Sequence, residues 1–220
     1  MAKFREKQLA FELRKEGKSY SQIRKTLKVS KSTLSYWLRK HPLPEQQIRL
    51  LRDWNETRIE HFRQTMLKKK NKRLEQIYQK QKKKIFPLTK RDLFIAGLFL
   101  YWGEGSKTRT AELQIANTDP AALNFFIYWV TKFLEQEKTK LKVHLHLYSD
   151  MDTEKELEFW SHTLNIPKTQ FLKPYIKKSL LKTINRGTYG HGTCTVKIGN
   201  ARVSEGVLMG LKSIRDRFGS

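Results

Sequence analysis

Between Pro44 and Pro87 the chain contains neither glycine nor proline. Nothing there eases a left-handed turn or removes a backbone donor, so the stretch reads as one long helix or two in series. At 1.5 Å per residue it spans on the order of 60 Å, more than the width of a small domain. The residues on its two sides must then build separate cores, and three segments follow: 1–42, 43–87 and 88–220. Ile48, Leu51, Trp54, Ile59, Phe62 and Met66 form an apolar stripe on the first half of the long segment. The run KKKNKR, Lys68 to Arg73, interrupts it and rules out a continuous coiled coil. The lysine-rich part reads either as a solvated spacer or as a stretch that tracks phosphates along a second length of DNA.

The formal charge is +24, from 45 Lys and Arg against 21 Asp and Glu. Residues 1–87 carry 25 of the cations and 8 of the anions, so the first part of the chain is the main electrostatic anchor. A compact protein so charged repels itself unless a polyanion lies against it. Duplex DNA is the commonest such partner; charge alone also admits RNA and anionic membrane. The lone Cys194 excludes an internal disulfide framework and a cysteine zinc cluster, which suits a reducing compartment. The residues MAKFREK lack the apolar core of a leader, and the apolar run Leu93 to Trp102 is too short to span a bilayer. A cytoplasmic, nucleoid-associated protein with no membrane partner is expected.

Residues 8–40 read as three short helices. Leu9, Phe11 and Leu13 mark the first, Gly17 ends it, and Ser19 caps a second that carries Ile23 and Leu27. A tight turn at Lys28 and Val29 leads to Ser30, whose hydroxyl suits an N-cap. Leu34, Trp37 and Leu38 then form the buried stripe of a third helix, leaving Lys31, Ser32, Thr33, Ser35 and Tyr36 outward. The segment EGKSYSQIRKTLKVSKSTLSYWL resembles the helix-turn-helix of resolvases and transposases. That resemblance implies that Lys31 to Ser35 face base edges in the major groove, with Tyr36 on the same face, while Arg24, Lys25 and Arg39 hold phosphates. The bland alternative is a trihelical protein-interaction module, against which the basic, hydroxyl-rich outer face argues.

From Thr89 onward the composition changes. Thr89 and Asp92 can cap a helix whose body, LFIAGLFLYW, is apolar on nearly every side and ends in Gly103-Glu104-Gly105. A helix apolar all round must be buried all round, and packing against its twin in a second chain achieves that. The homodimer so formed joins through the helix 91–103 and carries Glu104 to its interface, between two glycines that ease a sharp turn. Four strands are predicted over Arg109 to Asn117, Leu141 to Tyr148, Phe171 to Lys177 and Thr193 to Ile198. Each alternates. Leu113, Ile115, Val143, Leu145, Leu147, Leu172, Ile176, Cys194, Val196 and Ile198 form the inner face. Helices over Pro120 to Glu137, Thr153 to Leu164 and Arg202 to Phe218 supply apolar faces to cover it. The outer face is polar and basic, which suits a DNA groove. The fold class is α+β, with a trihelical N-terminal module, a long basic linker helix and a C-terminal domain built on a four-stranded, mainly antiparallel sheet.

The order of these elements, with the helix ending GLFLYWGEGS and the strand segment LQIANTDP, resembles a single-motif LAGLIDADG domain over about the last 130 residues. The family comprises homing endonucleases and transcription factors derived from them. The resemblance implies that two motif helices cross at a two-fold axis and that Glu104, with Gly103 beside it, holds a divalent cation, Mg²⁺. It also implies that Gln114 lies near the active site, with Lys197, Lys173 or Lys177 near the scissile phosphates. The face toward DNA would comprise Lys107, Arg109, Glu112, Lys142, His144, His146, Lys173, Tyr175, Lys177 and Thr195. His144 and His146 have a metal-compatible spacing without an evident third ligand, so phosphate or base contact is the favoured reading. The implied function is a homodimeric endonuclease that cuts both strands of a quasi-palindromic duplex site. The alternatives are a DNA-binding transcriptional regulator that does not cleave and, third, an accessory protein of a recombinase. His191, in the turn TYGHGT, reads as structural or as a phosphate neighbour, Cys194 as a core residue, and Tyr128, Trp129 and Trp160 as packing residues.

Overall fold

In the computed structural model, residues 4–51, 54–108, 111–178 and 190–219 are described, and they form two compact units, Met1–Pro87 and Leu88–Ser220. The fold is α+β, with nine α-helices and one four-stranded mixed sheet among the described residues. The expected start of the first strand at Arg109 lies outside the described residues.

The first unit opens with α1 (Phe4–Lys15), α2 (Tyr20–Leu27) and α3 (Lys31–Leu38). Ser19 caps α2 through a capping box with Gln22, and Lys28 ends it in the left-handed conformation. Ser30 caps α3 by accepting from the Thr33 amide. The core is Ala10, Tyr20, Ile23, Val29, Leu34 and Leu38, with Trp37 half-buried beside it. Leu9, one of the apolar residues that mark this helix, is exposed, because α1 turns Ala10 and Arg14, one helical turn apart, inward. The segment after Pro44 is two helices in series, α4 (Glu45–Arg49) and α5 (Trp54–Ile85).

The stripe expected on this segment is buried only in part, with Leu51 and Ile59 half-buried. Ile48 is buried, but Trp54, Phe62 and Met66 are exposed, and α5 instead buries Glu56 and Glu60. Arg14 is the reason. Its guanidinium makes a two-pronged contact with Glu60 at 3.0 and 3.3 Å and also donates to the backbone oxygens of His41 and Lys18. Glu60 accepts in addition from the amide of Tyr20, and Glu56 from the hydroxyl of Ser19. Both carboxylates therefore sit at the amino end of α2, where unpaired amides and the helix dipole favour negative charge. Trp54 and Phe62 each stand two residues from one of these acids, about 200° around a helix, and so face away.

The second unit begins with α6 (Lys90–Glu104), capped by Thr89 and Asp92 in a reciprocal box. Asp92 is held below the ordinary carboxylate range first by the Thr89 amide and then by its hydroxyl. The remaining elements are β1 (Glu112–Asn117), α7 (Pro120–Lys132), β2 (Lys142–Tyr148), α8 (Thr153–Leu164), β3 (Tyr175–Lys177), β4 (Thr193–Gly199) and α9 (Ala201–Phe218). The sheet order is β1-β4-β2-β3; β4 is antiparallel to both neighbours, and β3 runs parallel to β2.

Leu113, Ile115, Val143, Leu145, Leu147, Cys194, Val196 and Ile198 form the inner face and join one core with Leu98, Tyr101, Phe126, Trp129, Trp160 and Val207. Burial pushes the Cys194 thiol far above its usual range, as befits a packing residue. Leu172 and Ile176, expected on that face, are exposed: β3 is a three-residue edge strand, and Phe171 makes the inward contact. Trp129 donates its indole N–H to the Phe94 carbonyl at 3.0 Å, and Trp160 donates to that of His191 at 2.8 Å.

Within one chain α6 is not buried all round. Gly97, Leu98 and Tyr101 are inside, whereas Phe94 and Phe99 are exposed. A Cβ on Gly97 would stand 2.0 Å from the Trp129 ring, so this glycine lets α6 approach α7.

Candidate nucleic-acid interface

In the first unit the surface follows from the burial of α3. Leu34 and Leu38 anchor one side of the helix in the core, and Lys31, Ser32, Ser35, Tyr36 and Arg39 are exposed on the other, with Thr33 half-exposed. The hydroxyls of Ser30, Ser32 and Thr33 form a hydrogen-bonded cluster at the amino end of α3. Tyr36 stands 64% exposed with the Arg39 guanidinium 5.2 Å from its ring centre. Arg24 and Lys25, in the last turn of α2, are exposed. A cation, three hydroxyls and an aromatic ring on one short helix can read base edges by hydrogen bonding and contact a thymine methyl.

In the second unit the sheet register sorts the remaining candidates into rows. Gln114, Lys197 and Lys142 lie side by side across β1, β4 and β2. Ala116, Thr195 and His144 make the next row, and Thr193, His146 and Tyr175 the third, across β4, β2 and β3. Tyr148 and Lys177 close the face, with the ammonium 5.0 Å from the ring centre. The His144 and His146 rings meet edge to face, and His146 also touches Tyr175. Burial first, then His144 and Lys177, hold the His146 imidazole below its ordinary range. Thr195, on the central strand, is 8% exposed and so backs this surface more than it projects from it. Lys173 is exposed in the loop before β3, Lys107 is exposed after α6, and Arg109 lies outside the described residues.

The end of α6 meets this face at its edge. Gly105 bridges to Ile115, and the Ser106 amide donates to the Gln114 carbonyl at 3.1 Å. A Cβ at Gly105 would strike the Tyr101 ring and carbonyl within 2.5 Å, so close approach demands that glycine. Gly103 has open space where its Cβ would be and lies within the helix; it makes no turn. Glu104 is exposed. The corner thus brings together the backbone after Glu104, Gln114 and, one strand over, Lys197, whose ammonium lies 3.5 Å from Glu112. Among the described residues no group of three or more His, Cys, Asp or Glu side chains converges. Mg²⁺ prefers an octahedral oxygen shell, and the single carboxylate of Glu104 with the Gly103 backbone does not make one from a single chain.

His191 takes a structural place. Its ring stacks on Phe159 at 3.5 Å, and Nδ1 lies 2.7 Å from the carboxylate of Glu156, which is itself buried. No helix among the described residues is long and apolar enough to cross a membrane. Neither protein-family models, nor curated proteins, nor solved structures yield a match to this chain.

Proposed function

We propose that this chain is a double-stranded-DNA-binding protein that reads sequence with α3 and presents the polar face of its sheet to the duplex. The observation that carries the reading is the division of α3: Leu34 and Leu38 are fully buried, while Lys31, Ser32, Ser35, Tyr36 and Arg39 are free to meet a groove. The sheet supports it with a row of the exposed Lys142 and the half-buried Lys197, the latter beside Glu112, and with His144, His146 and Lys177 on the same face. The reading is tested by fluorescence anisotropy of labelled duplexes selected for binding. Ser35→Ala with Tyr36→Ala should erase discrimination between the selected site and a scrambled one, about 1–3 kcal/mol for each base no longer read, while non-specific binding persists. Equal discrimination in variant and wild type would overturn it.

One observation favours a second reading. The unburied side of α6, with Phe99 exposed and stacked on Trp102 at 5.7 Å, leads to the exposed Glu104. Two copies joined through α6 would bring two glutamates together, and a homodimeric Mg²⁺-dependent endonuclease of homing type would follow. That reading expects nicked or cut duplex from the wild type in Mg²⁺ and intact duplex from Glu104→Gln. Intact DNA in both, with binding retained, leaves a regulator that does not cleave.

A further inference from the structure

The cleft between α3 and α5 is lined by Ser32, Ser35 and Tyr36 of the proposed reading face on one wall and by Lys69, Lys70 and Arg73 on the other. It encloses about 840 Å³, and Phe62 and Met66 of α5 contribute apolar surface to it. Arg39 stands at the α3 wall over Tyr36, and Arg63 lies in the α5 wall with its guanidinium 3.7 Å from the centre of the Tyr20 ring. The buried Nη1 of Arg63 makes no hydrogen bond to the described residues. Five cations from two helices thus converge on one concavity beside the hydroxyls of α3, and Glu60 in its wall is already bound to Arg14. Of the three acids on α5, Glu56 and Glu60 are turned toward α2, and Glu75 accepts from Gln79 and does not line the cleft.

We infer that this cleft is a phosphate cradle: it takes the sugar-phosphate backbone of one DNA strand, so that α5 grips the edge of the same groove that α3 reads. The inference rests on the DNA-binding reading above and gives α5 a specific part in it. The Arg14–Glu60 contact and the Ser19–Glu56 hydrogen bond fix the start of α5 against the three-helix module, so the helix that carries these cations is placed before DNA arrives. Such preorganisation reduces the ordering cost of binding. The exposed ring of Phe62 offers surface against which deoxyribose can pack.

The experiment compares two charge-matched variants of the full chain on a mixed-sequence duplex of about 30 base pairs, reading the slope of log K against log salt concentration. One is Lys69→Gln/Lys70→Gln/Arg73→Gln, in the cleft. The other is Lys82→Gln/Lys83→Gln/Lys84→Gln, exposed on the same helix and outside it. Every phosphate that a variant no longer neutralises lowers the slope by about 0.9, so the cleft variant should fall by about 2–3 and the control by less than about 1. Equal decreases, or none in the cleft variant, overturn the cradle while leaving DNA binding intact. Failure of the wild type to bind any duplex would instead remove the reading on which the cradle rests.

Discussion

Arg14 shows how one side chain decides which face of a distant helix is buried. It is 4% exposed, donates to two backbone oxygens and meets both oxygens of Glu60. Removing one partner of a buried pair strands the other charge, which costs about 3–5 kcal/mol, whereas replacing both by apolar residues of similar volume is close to neutral. Glu60→Ala should therefore lower stability in urea by that amount, and Arg14→Met with Glu60→Met should recover only part of it, because the backbone oxygens of His41 and Lys18 and the Tyr20 amide lose their partners. A double variant as unstable as the single one would show that the ion pair does not organise the unit.

At the sheet, His146 provides a test by pH. Its lowered pKa keeps the folded protein neutral there at pH 7, and the unfolded chain takes up the proton first as pH falls below about 6.5. This group thus subtracts from folding stability in acid. A phosphate opposite His146 would favour the imidazolium, so binding DNA would take up a proton. Affinity is expected to rise between about pH 7.5 and pH 6, and His146→Gln should flatten the rise. A wild-type affinity independent of pH over that window would remove His146 from the interface.

Among the elements, α6 separates glycines that look alike in sequence. Gly97→Ala places a methyl group inside the Trp129 ring and should destabilise by about 1–3 kcal/mol in thermal or urea unfolding. Gly103→Ala meets open space in a helix and should be neutral or stabilising by up to about 1 kcal/mol. The opposite order would mean that α6 does not pack on α7 as described.

The alternation of β1, β2 and β4 made their faces legible, because period-2 patterning survives wherever a strand is covered on one side. It misled at Leu172, which lies before the strand, and at Ile176, on a three-residue edge strand; both are exposed. The caps at Ser19, Ser30 and Thr89 were equally plain, since a hydroxyl before an apolar period has few other uses. The face of α5 was hidden. An apolar stripe suggests burial, but a pair of acids one turn apart in a basic helix was the true signal, and its meaning depends on Arg14 and the amino end of α2, far away in sequence. The cleft above α3 was illegible for the same reason, since its two walls are separated by the whole α4 segment.

Over the whole molecule, two units each present cations: the cleft and the outer side of α3 in one, the sheet rows in the other. With a formal charge of +24, some affinity for any polyanion is expected, so binding alone does not separate DNA recognition from general electrostatic attraction. Discrimination among sequences does. The most direct measurement is repeated selection of duplexes from a randomised library by the full chain, at a salt concentration of about 0.15 M, where weak phosphate contacts fade, followed by sequencing. A defined motif should emerge for the wild type and vanish for Ser35→Ala with Tyr36→Ala. A wild-type pool that stays random, or a motif unchanged by those substitutions, would contradict sequence reading by α3.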